Sequence, residues 1–277
     1  MFRHSPIRAF GHCAHFAISD ICDIWPLLQS AQVPFPHPAG SAACVCWVDV
    51  SAVSGGDASA WVSRLPQTER DRYARYRHQL AAHQFLVGRL LIRGWLESLT
   101  GTSAAAWELR EGERGRPEIA SPPSPWSFNL AHSGNLVACV LSSVSDVGVD
   151  LEDLDRRPLT RDLARRFCAP AEVADIEQQP EAAQTHRFLT YWTLKEAYLK
   201  ARGLGIAVHL ADLEFNLAGE HPSISFRESL EGTSRDWAFG LFQPTPRYLL
   251  SVAVPQPAGS PRPDIAVSAV TLDALTR

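Results

Sequence analysis

The sequence predicts a mixed helix-and-strand fold built as two related halves, each with a strand feeding helices. Three observations predict it. The segment "HQFLVGRLLIRGWL" from His83 aligns without gaps on "HRFLTYWTLKEAYL" from His186, with His, Phe-Leu, a later Leu and an aromatic-Leu pair coinciding. "WVDV" around Asp49 echoes "GVDL" around Asp150, one residue out of register. The order of strands and helices in residues 41–146 also returns in residues 147–254. An interface between two such halves is a natural ligand cleft.

Along the chain, residues 1–40 read as an irregular lead-in in which "VPFPHPAG" is extended. "GHCAH" at 11–15 holds three potential metal ligands but has no second cluster at zinc-finger spacing, so no zinc site is read there. "ACVCWVDV" (43–50) has a strand pattern, and the turn-rich "SAVSGGD" follows it. Residues 69–99 are helical with one internal break, and "EGERGRPEIASPPSPWS" (111–127) reads as Gly/Pro-rich loop. "FNLAHSGNLVACVLS" and "VGVDLED" are strands joined by turns. Helices over 167–179 and 185–201 come next, then short strands up to Val254. The Pro-rich tail, 255–277, is expected to be loosely attached.

The chain has 277 residues, 45% hydrophobic and 20% charged, the composition of a soluble globular protein with a real core. A net charge of −4 argues against a nucleic-acid or membrane-surface binder, so any phosphate must be met by locally placed Arg and Lys. The opening "MFRH" and the lack of a long apolar run predict neither a signal peptide nor a transmembrane segment. Six cysteines (Cys13, Cys22, Cys44, Cys46, Cys139, Cys168) without a C-x-x-C pair suit a reducing cytoplasm.

The segment "FLTYWTLKEAYLKARGLG" (188–205) raises the chemical question. At about 100° per residue, Trp192, Glu196 and Lys200 form one stripe, and Tyr191, Leu194, Tyr198 and Ala201 form a core stripe opposite. Leu189 and Leu199 make the first stripe too apolar to be freely solvated. Its charges therefore need partners: each other as an i,i+4 pair, a metal or a charged ligand.

In "GVDLE" (148–152), Asp150 and Glu152 lie two apart, so on a strand they share a face. Paired carboxylates repel unless a proton or cation lies between them, although "EDLDRR" also allows a strand end entering a charged loop. Joined by Glu196, they would suit a hard, oxygen-preferring cation such as Mg²⁺, and the lack of Cys or His argues against zinc. Lys195 and Lys200 nearby complete what is expected around a polyphosphate.

Further candidates are weaker taken singly. His132 stands in the small-residue turn of "FNLAHSG", where a loop histidine is commonplace. Arg114 and Arg116 of "GERGRP" can bring guanidinium groups to an anion. Arg70, Arg72, Arg75 and Arg77 of "ERDRYARYR" could equally line a solvated helix face.

Together these pieces resemble the Sfp-type 4′-phosphopantetheinyl transferases. The resemblance rests on "GRP" (115–117), "FNLAHS" (128–133), "GVDLE" and "WTLKEAYLKARGLG" (192–205), in that family's order and spacing. A looser match covers Arg72 to Arg93. It implies a pseudo-symmetric α+β fold with the active site in the cleft between two similar halves. It also implies transfer of the 4′-phosphopantetheine arm of coenzyme A to a serine of an apo acyl or peptidyl carrier protein, leaving adenosine 3′,5′-bisphosphate.

By motif position, Asp150, Glu152 and Glu196 would hold Mg²⁺, or Mn²⁺, on the pyrophosphate, and Glu196 could also take the serine proton. Lys200 would neutralise phosphate charge with Lys195 beside it, while Arg116, His132 and Arg72 would contact coenzyme A phosphates. A cytoplasmic monomer that binds neither nucleic acid nor membrane is expected. Two departures stand out: Ala131 replaces the Ser of many members, and Glu69 occupies the first basic position of the Arg72 helix. The competing readings are a Mg²⁺-dependent hydrolase of nucleotide pyrophosphates and a non-catalytic coenzyme A-binding domain, the latter at odds with an intact acidic set.

Overall fold

Strand periodicity decides how the layers stack. The computed structural model describes residues 35–36, 42–112, 115–144, 146–155, 161–205, 208–227 and 236–275. The 11–15 cluster, Cys13, Cys22 and Arg114 lie outside these residues.

The first half contains β1 (Ala43–Asp49), α1 (Gly55–Val62), α2 (Gln67–Tyr73), α3 (Gln79–Thr100), β2 (Glu108–Glu111), β3 (Pro117–Ser121), β4 (Ser127–Ser133) and β5 (Leu136–Ser142). The second contains β6 (Gly148–Asp153), α4 (Arg161–Phe167), α5 (Pro170–Gln178), α6 (Glu181–Arg202), β7 (Leu213–Asn216), β8 (Ser223–Phe226), β9 (Trp237–Thr245) and β10 (Tyr248–Pro255). A last strand, β11 (Ile265–Ala269), follows. The main sheets are β11-β1-β5-β4 and β6-β10-β9.

On β5, Val137, Cys139 and Leu141 face the α3 side, while Leu136, Ala138 and Val140 face the other sheet. On β10, Leu249 and Ala253 face α6, while Leu250, Val252 and Val254 meet the first sheet. One apolar core thus lies between the sheets, and each sheet has a second core under its long helix. Burial on both faces explains why β5 and β10 read as nearly unbroken apolar runs.

The two halves share more than element order. Helices α3 and α6 are each 22 residues long. Both end at a left-handed glycine, Gly101 (φ 70°) and Gly203 (φ 61°), a conformation that costs glycine no Cβ clash. The break expected within 69–99 falls between α2 and α3.

Two expectations need correction. The 111–127 stretch is not all loop, because β3 pairs antiparallel with β2. The tail is not loosely attached either, since β11 runs parallel to β1 with Ala43 opposite Ile265 and Trp47 opposite Ala269. The alternating "IAVSA" thereby covers the backbone groups that β1 would otherwise present as an open edge.

Candidate active site

Strand β6 sets the site through simple alternation. Val149 and Leu151 enter the core between the sheets. Gly148, Asp150 and Glu152 therefore point the other way, towards α6. Close approach there depends on Gly148, because a Cβ at that position would lie 2.1 Å from the Ala197 carbonyl oxygen and 2.5 Å from the Ala201 nitrogen. Helix α6 is held further by a buried hydroxyl pair, Thr193 Oγ1 with Ser251 Oγ of β10, at 2.7 Å. The neighbouring β4 is tied on by side chains. Asn129 Oδ1 accepts from the Val149 N–H, and Ser133 Oγ accepts from the Asp153 N–H, each at 3.1 Å.

The two stripes of α6 separate as helical geometry requires. Between Phe188 and Ala201 only Trp192, Glu196 and Lys200 are half-exposed, and every other residue is buried. Lys200 Nζ donates to Asp150 Oδ1 at 2.7 Å. The Glu196 carboxyl is pushed above the usual glutamate range, first by burial and then by the charges of Asp150 and Glu152, with Lys200 opposing. His132 is pushed below the usual histidine range, first by the protein packed around it and next by the Lys200 ammonium. His132 lies within β4, not in the turn that the sequence suggested, and the residue is exposed. Asp150, Glu152, Glu196, Lys200 and His132 are thus electrostatic neighbours.

Three expected site residues are placed differently. Lys195 is fully buried, with Nζ 2.5 Å from Glu172 Oε2 and donating to the carbonyls of Phe167 (3.0 Å) and Leu210 (2.9 Å). One residue is a 100° rotation, and that turns Lys195 away from the cleft into the packing of α5 and α6. It is a structural ion, not a neighbour of the carboxylates. The Arg116 guanidinium is occupied by main-chain carbonyls: Nη1 donates to Lys200 (2.8 Å) and Ala201 (3.3 Å), Nη2 to Phe128 (3.0 Å) and Val147 (3.1 Å). Arg72 pairs with Glu111 of β2, and its guanidinium lies 5.3 Å over the Phe85 ring.

Sequence reasoning missed Glu172, Gly148 and Asn129. Glu172 accepts from the N–H groups of Ala169 and Phe215, each at 2.7 Å, besides Lys195. A polar residue inside the apolar "FNL" was the one available signal for Asn129. A cavity of about 770 Å³ lies by the N-terminal part of α6, lined by His186, Phe239 and Arg262, and none of the five clustered residues lines it. Its size is ligand-like, but the concentration of charge lies elsewhere.

Comparison with known proteins now bears on the cluster. A family model described as the 4′-phosphopantetheinyl transferase superfamily matches residues 146–253, and one described as 4′-phosphopantetheinyl transferase, N-terminal, matches 54–144. A phosphopantetheinyl transferase of Thraustochytrium sp. is 33% identical over 216 residues, spanning 73% of this chain and 75% of its own. The chain belongs to the 4′-phosphopantetheinyl transferase family. A 4′-phosphopantetheinyl transferase of Bacillus subtilis is 29% identical over 180 residues, 65% of this chain and 79% of its own. The Sfp transferase of Bacillus subtilis strain 168 is 27% identical over 157 residues, 57% and 68% respectively. The two family matches on this transferase meet between β5 and β6, at the seam between its halves. No helix among the described residues is long and apolar enough to cross a membrane.

Proposed function

We propose that this transferase moves the 4′-phosphopantetheine arm of coenzyme A onto a serine of an apo acyl or peptidyl carrier protein, releasing adenosine 3′,5′-bisphosphate. The observation that carries this reading is the meeting of half-exposed Glu196 and Lys200 on α6 with Asp150 and Glu152 on β6. Three carboxylates and one ammonium brought together make a poor core and a good cradle for a pyrophosphate with a cation.

The donor set fits Mg²⁺ in chemistry: all its ligands are oxygens, and Asp150 and Glu152 both raise the Glu196 carboxyl, a repulsion that a cation would relieve. Among the described residues no three such side chains already stand at ligand distance, so binding would require these carboxylates to draw together. Asp150, Glu152 and Glu196 would be the protein ligands. When bound, Mg²⁺ would neutralise charge on the pyrophosphate and on the departing bisphosphate.

The side chains divide the remaining work. Lys200, placed beside Asp150, would hold pyrophosphate oxygens electrostatically. Glu196, half-exposed on the open stripe of α6, could serve as the base for the serine. As the serine oxygen bonds to the phosphorus bearing the pantetheine arm, its proton passes to the Glu196 carboxylate. The bond from that phosphorus to the bridging oxygen breaks, and its electron pair leaves with the bisphosphate. His132 would donate a hydrogen bond to a phosphate oxygen, while Arg72 would have to leave Glu111 to meet one.

The test is intact-protein mass spectrometry of several apo-carriers after incubation with coenzyme A and Mg²⁺. The phosphopantetheine mass should appear, disappear in EDTA and return with Mg²⁺ or Mn²⁺. Asp150→Ala should abolish it without recovery. Full activity in excess EDTA removes the metal, and bisphosphate released from coenzyme A without a carrier favours a hydrolase.

A further inference from the structure

Arg116 occupies a position expected to touch phosphate, yet its planar fork is spent on protein. The four N–H groups of Nη1 and Nη2 reach four carbonyls on three separate segments: the last turn of α6, the start of β4 and the residue just before β6. These segments carry the site. Lys200 offers its carbonyl to Arg116 and its ammonium to Asp150. Val147 stands three residues before Asp150, and Phe128 four before His132. Carbonyls in the last turn of a helix carry the negative end of its dipole, which suits a cation there, and the Lys200 carbonyl accepts from Arg116 besides the capping Gly203 N–H at 3.2 Å. Beside this contact, Gly148 lets α6 settle against β6.

We propose that Arg116 is a positioning residue: its guanidinium clamps the C-terminal turn of α6 to β4 and β6, and so holds Lys200 in register with Asp150. A phosphate contact and a clamp answer differently to lysine. Lysine keeps the charge and so would keep most of a phosphate contact. A compact ammonium has three donors at one point and cannot span four carbonyls in a plane.

The experiment compares Arg116→Lys and Arg116→Ala with wild type in three measurements. These are coenzyme A affinity by calorimetry, kcat for carrier modification, and hydrogen–deuterium exchange over 196–205. The kinetic arm rests on the function proposed above, whereas exchange needs no substrate. The clamp predicts that coenzyme A affinity falls by a smaller factor than kcat in both variants. It predicts kcat lowered on the order of ten- to a hundred-fold, the range for charge-assisted hydrogen bonds, and faster exchange at 196–205. Millimolar free guanidinium should recover part of kcat in the alanine variant and none in wild type.

Wild-type kcat in Arg116→Lys, or a tenfold weaker coenzyme A affinity in Arg116→Ala with kcat intact, overturns the proposal. If Arg116→Ala does not fold, the lysine variant decides. If wild type modifies no carrier, the proposed function fails, and unchanged exchange at 196–205 would still sink the clamp on its own.

Discussion

Helices α3 and α6 occupy equivalent places in the two halves, and the difference between them shows how the site arises. The internal alignment puts Arg89 opposite Trp192, Arg93 opposite Glu196 and Glu97 opposite Lys200. Each helix thus carries the same polar stripe at the same phase. On α3 its first two members are closed off, Glu97 alone being exposed: Arg89 and Arg93 are buried, and Glu69 of α2 stands 3.4 Å from Arg89 Nε and 2.8 Å from Arg93 Nη1. On α6 it stays half-open and looks onto the carboxylates of β6. The two halves present two such stripes, and the proposed chemistry uses the one that looks onto the β6 carboxylates. This also accounts for an acid at position 69, where the family pattern expects a base. Two buried guanidinium groups under α2 need a carboxylate more than a ligand would need another cation.

The comparison is easiest to break at the buried ion pairs, one on each helix. Glu69→Gln removes the counter-charge of the closed stripe and leaves two buried arginines facing each other. The expected loss is about 3–5 kcal/mol, typical of breaking a buried ion pair, read from the urea midpoint at constant slope. A loss under about 1 kcal/mol, the range for surface pairs, would mean that the α3 stripe is not a closed ion cluster. Lys195→Met tests the same idea on α6 and should also cost about 3–5 kcal/mol, since it strands Glu172 in the core.

Gly148→Ala comes next, because it attacks the contact that brings the open stripe to β6. The added methyl would meet backbone atoms of α6, which can move only with the helix. An overpacking cost of about 1–3 kcal/mol is expected, together with loss of carrier modification at temperatures where the variant is fully folded. A folded, fully active variant would show that Lys200 reaches Asp150 without this close approach.

Much of this arrangement was legible in the sequence, for a definite reason. Periodicity fixes which face of an element is dry, so the Trp192–Glu196–Lys200 stripe, the β6 carboxylate face and the break before α3 could be read from spacing. What escaped depended on partners far along the chain. Lys195 lies about 40° round α6 from Tyr191 of the core stripe, and that phase was visible. Its counter-ion Glu172, 23 residues away by numbering, has no spacing rule to announce it. Arg116 binds carbonyl oxygens, and every residue has one, so no motif marks the clamp. The pairing of β11 with β1 joins segments more than 200 residues apart, and the prolines before it resemble any loose tail.

The smallest expected effect is the sharpest, because its sign should oppose that of Glu69→Gln. Glu196 has its carboxyl raised in the folded protein, mainly by burial and then by Asp150 and Glu152. Over the pH range between the ordinary and the raised value, the folded chain holds a proton that the unfolded chain has lost. Stability therefore falls as pH rises through that window and stays lower above it. Glutamine cannot ionise, so Glu196→Gln in metal-free protein should be more stable than wild type at neutral pH. The gain should be about 0.2–1 kcal/mol for a group still partly in water, a rise of up to about 4 °C in Tm. Below the ordinary glutamate value of about 4.3 the difference should vanish. Added Mg²⁺ should then raise the Tm of wild type more than that of the variant, reversing the order. The measurement is a set of thermal melts from about pH 4 to 8, with EDTA and with Mg²⁺. A metal-free variant that melts below wild type, as Glu69→Gln should, would make Glu196 a second structural acid and leave the α6 stripe no more open than that of α3.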